Sequence, residues 1–392
     1  MQKKSILISN YFILRKLSCV YYLLSCVLCL VSFSCGNQAQ KSNENQPEYS
    51  AKIKYSQGFA IDYFADYKVI TIYNPWAKNA IQQKIYLVKN KNISVSNDGI
   101  KIVTPLKKMA VGSCTYFEFL AQISELECVK GVCSLNLVYN QKIADKAAKK
   151  EIIDLGDAFT PNLEKIMLLQ PDIFMLPSYN AQDETANRLL KSGVAVVYNN
   201  EWTENSLLAR AEWLKMIAAF FDKENLADSI FSEIEKNYLT AKQLVENVKV
   251  KPTIMAGGNF KGTWYMASGK SYMGNLFVDA GGKYFYENDT TKGSLSLSFE
   301  SVLHNFHNTD IWLNAPVKTL AELQQMDTRH ELFKPMQTKN VFAFMAKTHP
   351  NGANDFWESA VAHPDIVLKD VIWALHPALL SNYLPVYILK LE

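Results

Sequence analysis

Residues 204–248 read ENSLLARAEWLKMIAAFFDKENLADSIFSEIEKNYLTAKQLVENV, a stretch with neither glycine nor proline. Leu207, Leu208, Ala211, Leu214, Ile217 and Ala218 recur at the spacing of one helix face. Asp222 then offers an N-cap for a second helix carrying Leu226, Ile230, Ile234 and Leu239. The pattern suits two helices packed on a surface and equally a stiff rod between two lobes, and the two readings are compatible. The sequence on either side gives the stretch its place. Before it, Lys108–Gly112, Cys128–Cys133, Ile173–Leu176 and Val194–Tyr198 read as short apolar strands, and Tyr116–Ile123 and Asn162–Leu169 as helices. After Lys251-Pro252 the same grammar returns: strands Thr253–Ala256, Ile311–Leu313 and Val341–Phe344, a helix Tyr272–Ala280, and a C-terminal helix near Val367–Leu375. Strands alternating with helices signal mostly parallel sheets flanked by helices. The expected fold is therefore α/β: a first lobe at 105–203, a linking helical region at 204–248, and a second lobe at 249–392, with the site between the lobes. The 392 residues are enough for two separate cores.

The chain ahead of the first lobe differs. Residues 53–104 are rich in β-branched and aromatic types, alternating in Phe59-Ala-Ile-Asp-Tyr63 and Lys68-Val-Ile-Thr-Ile-Tyr73, with turn signals at Asn74-Pro75 and Asn97-Asp98-Gly99. This predicts an N-terminal β-ribbon or small sheet. Residues 35–52 are polar and suit a flexible tether. In 1–34, Lys3, Lys4, Arg15 and Lys16 precede an apolar run from Leu17 to Phe33, the order of a signal peptide. Cys35 follows that run and is itself followed by polar sequence, unlike Cys26 and Cys29, so Cys35 is the candidate for lipid attachment. Phe33 stands where such cleavage sites usually carry a small residue. The run of about 17 residues sits at the lower limit for spanning a bilayer, which leaves an uncleaved anchor as the alternative. Either reading places the bulk of the chain outside the cytoplasm, in the periplasm or cell envelope.

Composition narrows the partners. Net charge is only +3 with both signs dispersed, and no basic stripe runs along the chain, so nucleic acid is excluded as an expected partner. Four of the seven cysteines fall in the first 35 residues, leaving Cys114, Cys128 and Cys133, of which Cys128 and Cys133 are the candidates for pairing. All six histidines lie in the second half, whereas a divalent metal held between lobes would draw imidazoles from both. His304 and His307 share a helix spacing but lack an evident third ligand, so no metal site is expected. Gly269-Lys270-Ser271 is similar to the end of a phosphate-binding loop, yet Trp264 stands where that motif needs glycine. No GxSxG or HExxH motif occurs.

Short segments in a demanding order carry a family likeness. Asp154-Leu-Gly-Asp157, Asn162-Leu-Glu-Lys-Ile166 and Gln170-Pro-Asp-Ile173 resemble the first-lobe signature of periplasmic binding proteins for siderophores, haem and cobalamin, the class whose lobes are joined by a helix. Ala267-Ser-Gly-Lys-Ser271, Asp279-Ala-Gly-Gly282, Leu297-Ser-Phe-Glu-Ser-Val-Leu303 and Thr309-Asp-Ile311 fit the second lobe, so the resemblance spans roughly 105–315. It implies a monomeric binding component of an ABC importer, without cofactor or catalysis, delivering an iron–chelate, haem or corrinoid ligand to a permease and its ATPase. It also implies that Glu164 and Glu300 dock onto arginines of the permease. A first-turn glutamate that merely stabilises a helix N-terminus is the plainer account of each.

Ligand contacts are expected from loops at the strand ends facing the cleft. On the first lobe these are Ser113, Cys114, Thr115 and Tyr116, then Ala158, Phe159 and Thr160, then Ser178 and Tyr179. The second lobe offers Asn259, Phe260, Lys261, Trp264 and Tyr265, then Gly293 and Ser294. Aromatic faces suit flat chelates or macrocycles, and Lys261 suits an anionic group. Cobalamin binders commonly place an aromatic six residues before each docking glutamate, where this chain has Ala158 and Ser294, a departure that weighs against a corrinoid. The segment Asn351–Glu358 is polar and aromatic-rich, and fits either a cleft mouth or a capped helix start. The rival reading is an exported α/β hydrolase using carboxylates such as Asp157 and Glu358.

Overall fold

The computed structural model describes residues 46–180 and 183–392. The leader, Cys35 and most of the tether lie outside the described residues. Among the described residues no helix is long and apolar enough to cross a membrane.

The chain opens with a five-stranded sheet, β1 (Tyr49–Ser50), β2 (Phe59–Tyr63), β3 (Tyr67–Tyr73), β4 (Ile81–Val88) and β5 (Ile100–Val103), in sequential order. The first four strands are antiparallel, and β5 joins β4 in parallel. Phe59, Ile61, Ile70, Ile72, Ile85 and Leu87 are buried, as period-two alternation places them on one face. That face does not form a core of its own. It merges with the apolar core of the next sheet, and Phe59 packs on Trp213 with ring centroids 4.9 Å apart.

The first-lobe sheet is wholly parallel, in the order β10-β9-β6-β7-β8: β6 (Met109–Val111), β7 (Val129–Val132), β8 (Ile153–Asp154), β9 (Ile173–Leu176) and β10 (Val196–Tyr198). Every residue of β6, β9 and β10 is buried, which is why these segments read as continuous apolar runs. Cys128 and Cys133 flank β7 and are both free. The four residues of β7 stand between them, an extended span of about 13 Å that exceeds the reach of a disulfide, so this candidate pair is ruled out. Burial pushes both thiols up to about 12.

The second half holds two sheets. One is parallel, β14-β11-β16, from β11 (Thr253–Ala256), β14 (Lys283–Tyr284) and β16 (Ile311–Leu313). The other is antiparallel, β12-β13-β15, from β12 (Gly258–Phe260), β13 (Thr263–Ala267) and β15 (Ser294–Leu297). A short pair, β17 (Phe342–Ala343) with β18 (Leu389–Lys390), closes the chain. The antiparallel sheet was not anticipated from the sequence.

Residues 204–248 form three helices: Leu207–Ala211, Trp213–Ala219 and the twenty-residue Glu224–Gln243. Trp213–Ala219 is buried in the first core. Glu224–Gln243, about 30 Å long at 1.5 Å per residue, is the rod: Ala227 belongs to the first core, whereas Ile234, Tyr238 and Ala241 belong to the second. Its inner stripe is thus Ala227, Phe231, Ile234, Tyr238 and Ala241, while Leu226 and Leu239 are exposed, contrary to expectation. Asp222 does not cap it; that residue is left-handed, with φ 56°, and Lys223 holds the N-cap position without a side-chain bond.

Candidate ligand-binding cleft

A cavity of about 540 Å³ lies between the halves, within the range typical of small-molecule sites. Its second-half wall comes from the carboxyl ends of parallel strands (Ala256 ending β11 and Gly257 after it, Asn314 after β16), from Tyr265 and Ala267 on β13, and from Lys270–Met273 at the start of the helix Tyr272–Asp279. The first-half wall is Trp202–Glu204, just after β10, and Trp357 adds an edge. Strand ends of a parallel sheet are where open α/β folds bind ligands. Glycine is required at 257: its φ is +76°, and a Cβ there would stand 2.0 Å from the Tyr265 carbonyl oxygen. A second groove of about 780 Å³ shares Pro75, Trp76, Thr203, Glu204 and Lys292 with this cavity and adds Gln57, Tyr73 and Lys78.

The acidic groups beside the cavity are already engaged. Glu204 accepts hydrogen bonds from Ser56 Oγ at 2.5 Å, the Gly58 amide at 2.9 Å and Trp213 Nε1 at 3.0 Å, while burial pushes its carboxyl above the usual range. Glu212, fully buried, accepts the amides of Lys54, Tyr55 and Ser56 at 2.7–2.9 Å. These two carboxylates therefore fasten the irregular segment leading into β2 to the first lobe, since a buried carboxylate is tolerated only when donors satisfy it. Glu201 pairs with Arg210 at 2.6 Å, and the guanidinium lies 4.1 Å from the centroid of the Tyr272 ring, fixing that ring's position. Lys78, Lys270 and Lys292 form no ion pair among the described residues. The cavity and groove thus present a positive rim around aromatic walls. Trp202 adds an indole N–H that is buried without an acceptor among the described residues.

Among the expected contacts, Tyr265 lines the cavity, as do Gly293 and Ser294. Phe159 and Tyr179 are exposed and form an aromatic ladder to its rim, with centroids 5.1 Å apart and Tyr179 a further 5.8 Å from Trp202. Cys114 reaches the edge through a 3.7 Å contact from Sγ to the Trp357 carbonyl oxygen, and burial pushes its thiol up to about 12. Ser113 and Thr115 bond each other at 2.9 Å within their own loop. Ser178 is fully buried, its hydroxyl donating to Asn180 O at 2.9 Å, and two aromatic expectations are overturned as well. Tyr116 is fully buried in the first core, its hydroxyl donating to Asn199 O at 3.4 Å. Trp264 is fully buried in the second, donating to Ala256 O at 2.9 Å and packed against Trp312 and Phe333. Neighbouring residues of a strand face opposite ways, so Trp264 and Tyr265 could not both meet a ligand. Asn259, Phe260 and Lys261 form the tip of the β12–β13 hairpin and line neither the cavity nor the groove.

Glu164 and Glu300 each occupy the second position of a helix, Leu163–Leu169 and Phe299–Phe306, behind the side-chain caps Asn162 and Ser298. Both are exposed. Glu300 lies 3.6 Å from Arg329, itself stacked 4.0 Å over Phe299. The carboxylates of the hydrolase reading are spent on backbone. Asp157 accepts the amides of Phe159 and Thr160 in a tight turn. Glu358 accepts the Tyr139 amide at 2.8 Å, and burial pushes its carboxyl up to about 7. The small cavity that Glu358 lines does not include Asp157. Among the described residues no group of three or more His, Cys, Asp or Glu side chains is placed to hold a metal ion.

Sequence reasoning missed Pro75, Trp76, Trp202, Lys270, Tyr272 and Lys292. The sequence offers Lys270 only as part of a phosphate-loop likeness, and Trp357 within a segment of open role. Trp202 carried a usable signal, an aromatic in the loop directly after an apolar strand.

The likeness to known proteins agrees with this architecture. An uncharacterized lipoprotein of Methanocaldococcus jannaschii is 26% identical over 373 residues, covering 87% of this chain and 86% of its own. A second uncharacterized lipoprotein of that organism is 24% identical over 367 residues, covering 88% of each chain. Among solved structures, the triscatecholate siderophore binding protein FeuA of Bacillus subtilis, complexed with ferri-bacillibactin, superposes with a TM-score of 0.55 at 16% identity, covering 74% of this chain and 98% of that one. The apo form of the periplasmic heme-binding protein RhuT from Roseiflexus sp. RS-1 gives 0.54 at 15%, covering 70% and 99%. At such identities these likenesses speak for the fold. The sequence pattern of the periplasmic binding proteins matches residues 130–347, more than half of the chain, and the chain accordingly belongs to the periplasmic binding protein family.

Proposed function

We propose that this protein is the solute-binding component of an ABC importer, capturing an iron–chelate, haem or corrinoid ligand in the inter-lobe cavity and presenting it to a permease. The observation that carries the reading is the cavity itself: both halves wall it, aromatic rings line it, and the ammonium groups at its rim lack carboxylate partners. Aromatic faces take up flat chelates and macrocycles, and unpaired ammonium groups attract carboxylate or catecholate oxygens. That FeuA is a triscatecholate siderophore binder and RhuT a heme binder supports this ligand class. In this reading Glu164 and Glu300 are docking points on separate lobes, where exposed charges contribute orientation and encounter rate more than affinity. Cys35 carries a lipid that holds the protein at the cell envelope, as the lipoprotein relatives suggest. No chemistry is done on the ligand, and ATP is hydrolysed by the partner ATPase.

The test is a titration of the purified protein with ferric tris-catecholate, haem and hydroxocobalamin, followed by mass analysis of the recovered ligand. Saturable one-to-one binding of at least one of them, with the ligand unchanged, is the expected outcome. No binding of any, or conversion of the ligand, overturns the reading.

A further inference from the structure

We propose that the loop joining β3 and β4 is a ligand-contacting wall, and that Trp76 and Lys78 on it select for an anionic chelate too large for the main cavity alone. The inference rests on the function proposed above and extends it to a part of the chain outside the residues matched by the family pattern. Trp76 lies on the boundary of both the cavity and the adjoining groove, and Lys78 faces the groove together with Lys292 of the second half. A ligand seated against Trp202 and Tyr272 and extending into the groove would meet Trp76 next.

The loop is preformed. Asn74 accepts the amides of Trp76 at 2.9 Å and Ala77 at 3.2 Å through Oδ1, and its own amide donates to Ala80 O at 2.8 Å. Pro75 fixes the backbone between them. The base of the loop is tied to the lobe, because the Tyr73 amide donates to Gly58 O and the Gly58 amide donates to the buried Glu204. Little conformational freedom is then lost on binding, which favours affinity. Trp76 is nevertheless 41% exposed and makes no ring contact among the described residues, so packing does not account for an indole at this place. Its position beside an unpaired ammonium group suits a ligand with a flat face and peripheral negative charge.

The experiment measures dissociation constants for whichever of ferric tris-catecholate, haem and hydroxocobalamin the unmodified chain binds, in the variants Trp76→Ala, Trp76→Phe and Lys78→Glu, with thermal unfolding as the folding control. Trp76→Ala should weaken binding about tenfold, Trp76→Phe should restore most of it, and Lys78→Glu should weaken binding more at low salt than at high. Unfolding temperatures should stay unchanged, because both side chains are exposed. Affinities within about twofold of the unmodified chain in both Trp76→Ala and Lys78→Glu overturn the inference while leaving the proposed function standing. Failure of the unmodified chain to bind any probe overturns the function and this inference together.

Discussion

The two halves of the molecule wall the same cavity with different kinds of sheet. In the first half the strands β6, β9 and β10 of the parallel sheet are buried throughout, so its cavity wall comes from a segment beyond a strand end, Trp202–Glu204 after β10. In the second half an antiparallel sheet stands beside a parallel one, and alternate residues of β13 divide their duties: Trp264 and Met266 point into the core, Tyr265 and Ala267 toward the cavity. A sheet with one free face can offer a row of side chains, whereas a sheet with two covered faces can offer only loops. That difference explains why Tyr265 comes from the second half, with Lys270, Tyr272 and Lys292 supplied by the segments that follow β13 and precede β15, and why the first half gains much from the added N-terminal sheet.

Exchanging the two faces of β13 is the most severe way to break this contrast. Trp264→Ala should lower the free energy of unfolding by roughly 3–5 kcal/mol in a denaturant titration, the usual loss for emptying a large aromatic site. Tyr265→Ala should cost less than about 1 kcal/mol in the same assay and act on ligand affinity instead. Equal destabilisation by the two would mean the strand register is wrong.

A contact between the halves gives the next effect. Glu358, far along the chain, accepts the Tyr139 amide of the first lobe, and its carboxyl is raised from 4.5 to about 7 mainly by burial. A group whose folded pKa is raised binds more protons when folded, so its contribution to stability is complete below about pH 4.5 and is lost as pH rises to about 7. The loss is on the order of 3 kcal/mol. Stability curves measured between pH 4.5 and 8 should show this decline, and Glu358→Gln should flatten it. A decline that persists unchanged in Glu358→Gln would assign it elsewhere.

Smaller again is the effect of the rim. Removing Lys270 and Lys292 together should weaken binding of an anionic chelate about ten- to a hundredfold and make the remaining affinity less sensitive to salt. An unchanged salt dependence would show that the second half's charges do not face the ligand. Charge reversal at Glu164 and Glu300, the proposed docking points, should be the mildest change to the isolated protein. Glu164→Lys and Glu300→Lys should leave ligand affinity untouched and reduce delivery to the permease in a reconstituted uptake assay, with an exposed pair contributing about 0–1 kcal/mol. Glu164→Lys should be the more damaging, because Glu300 already shares its charge with Arg329 at 3.6 Å.

Much of the fold was legible because buried parallel strands announce themselves. Ile173–Leu176, Thr253–Ala256 and Ile311–Leu313 were expected as strands over the same residues the structure gives them, each a short apolar run with clear flanks. The linking helix was visible for its length and lack of breakers, but its inner face was not. Leu226 and Leu239 fit a 3.6-residue period as well as Ala227, Phe231 and Tyr238 do, and only contact with two cores selects the second set. The site was less legible. Tyr265 could be placed near a cleft, yet nothing local says that Trp264 beside it turns inward, since that depends on which face of β13 meets Trp312 and Phe333. Trp76 and Lys78 stand at the groove on a sheet whose lead-in segment before β2 is fastened to the first lobe by Glu204 and Glu212, a tertiary fact with no local signature.

The most direct test of a shared cavity is anomalous diffraction at the metal edge from crystals of the protein with its bound chelate. The account predicts a single metal peak between Trp202 of the first half and Tyr272 of the second, with the ligand's edge against Trp76. A metal peak at the β12–β13 hairpin tip near Phe260, or on one half alone, would contradict it.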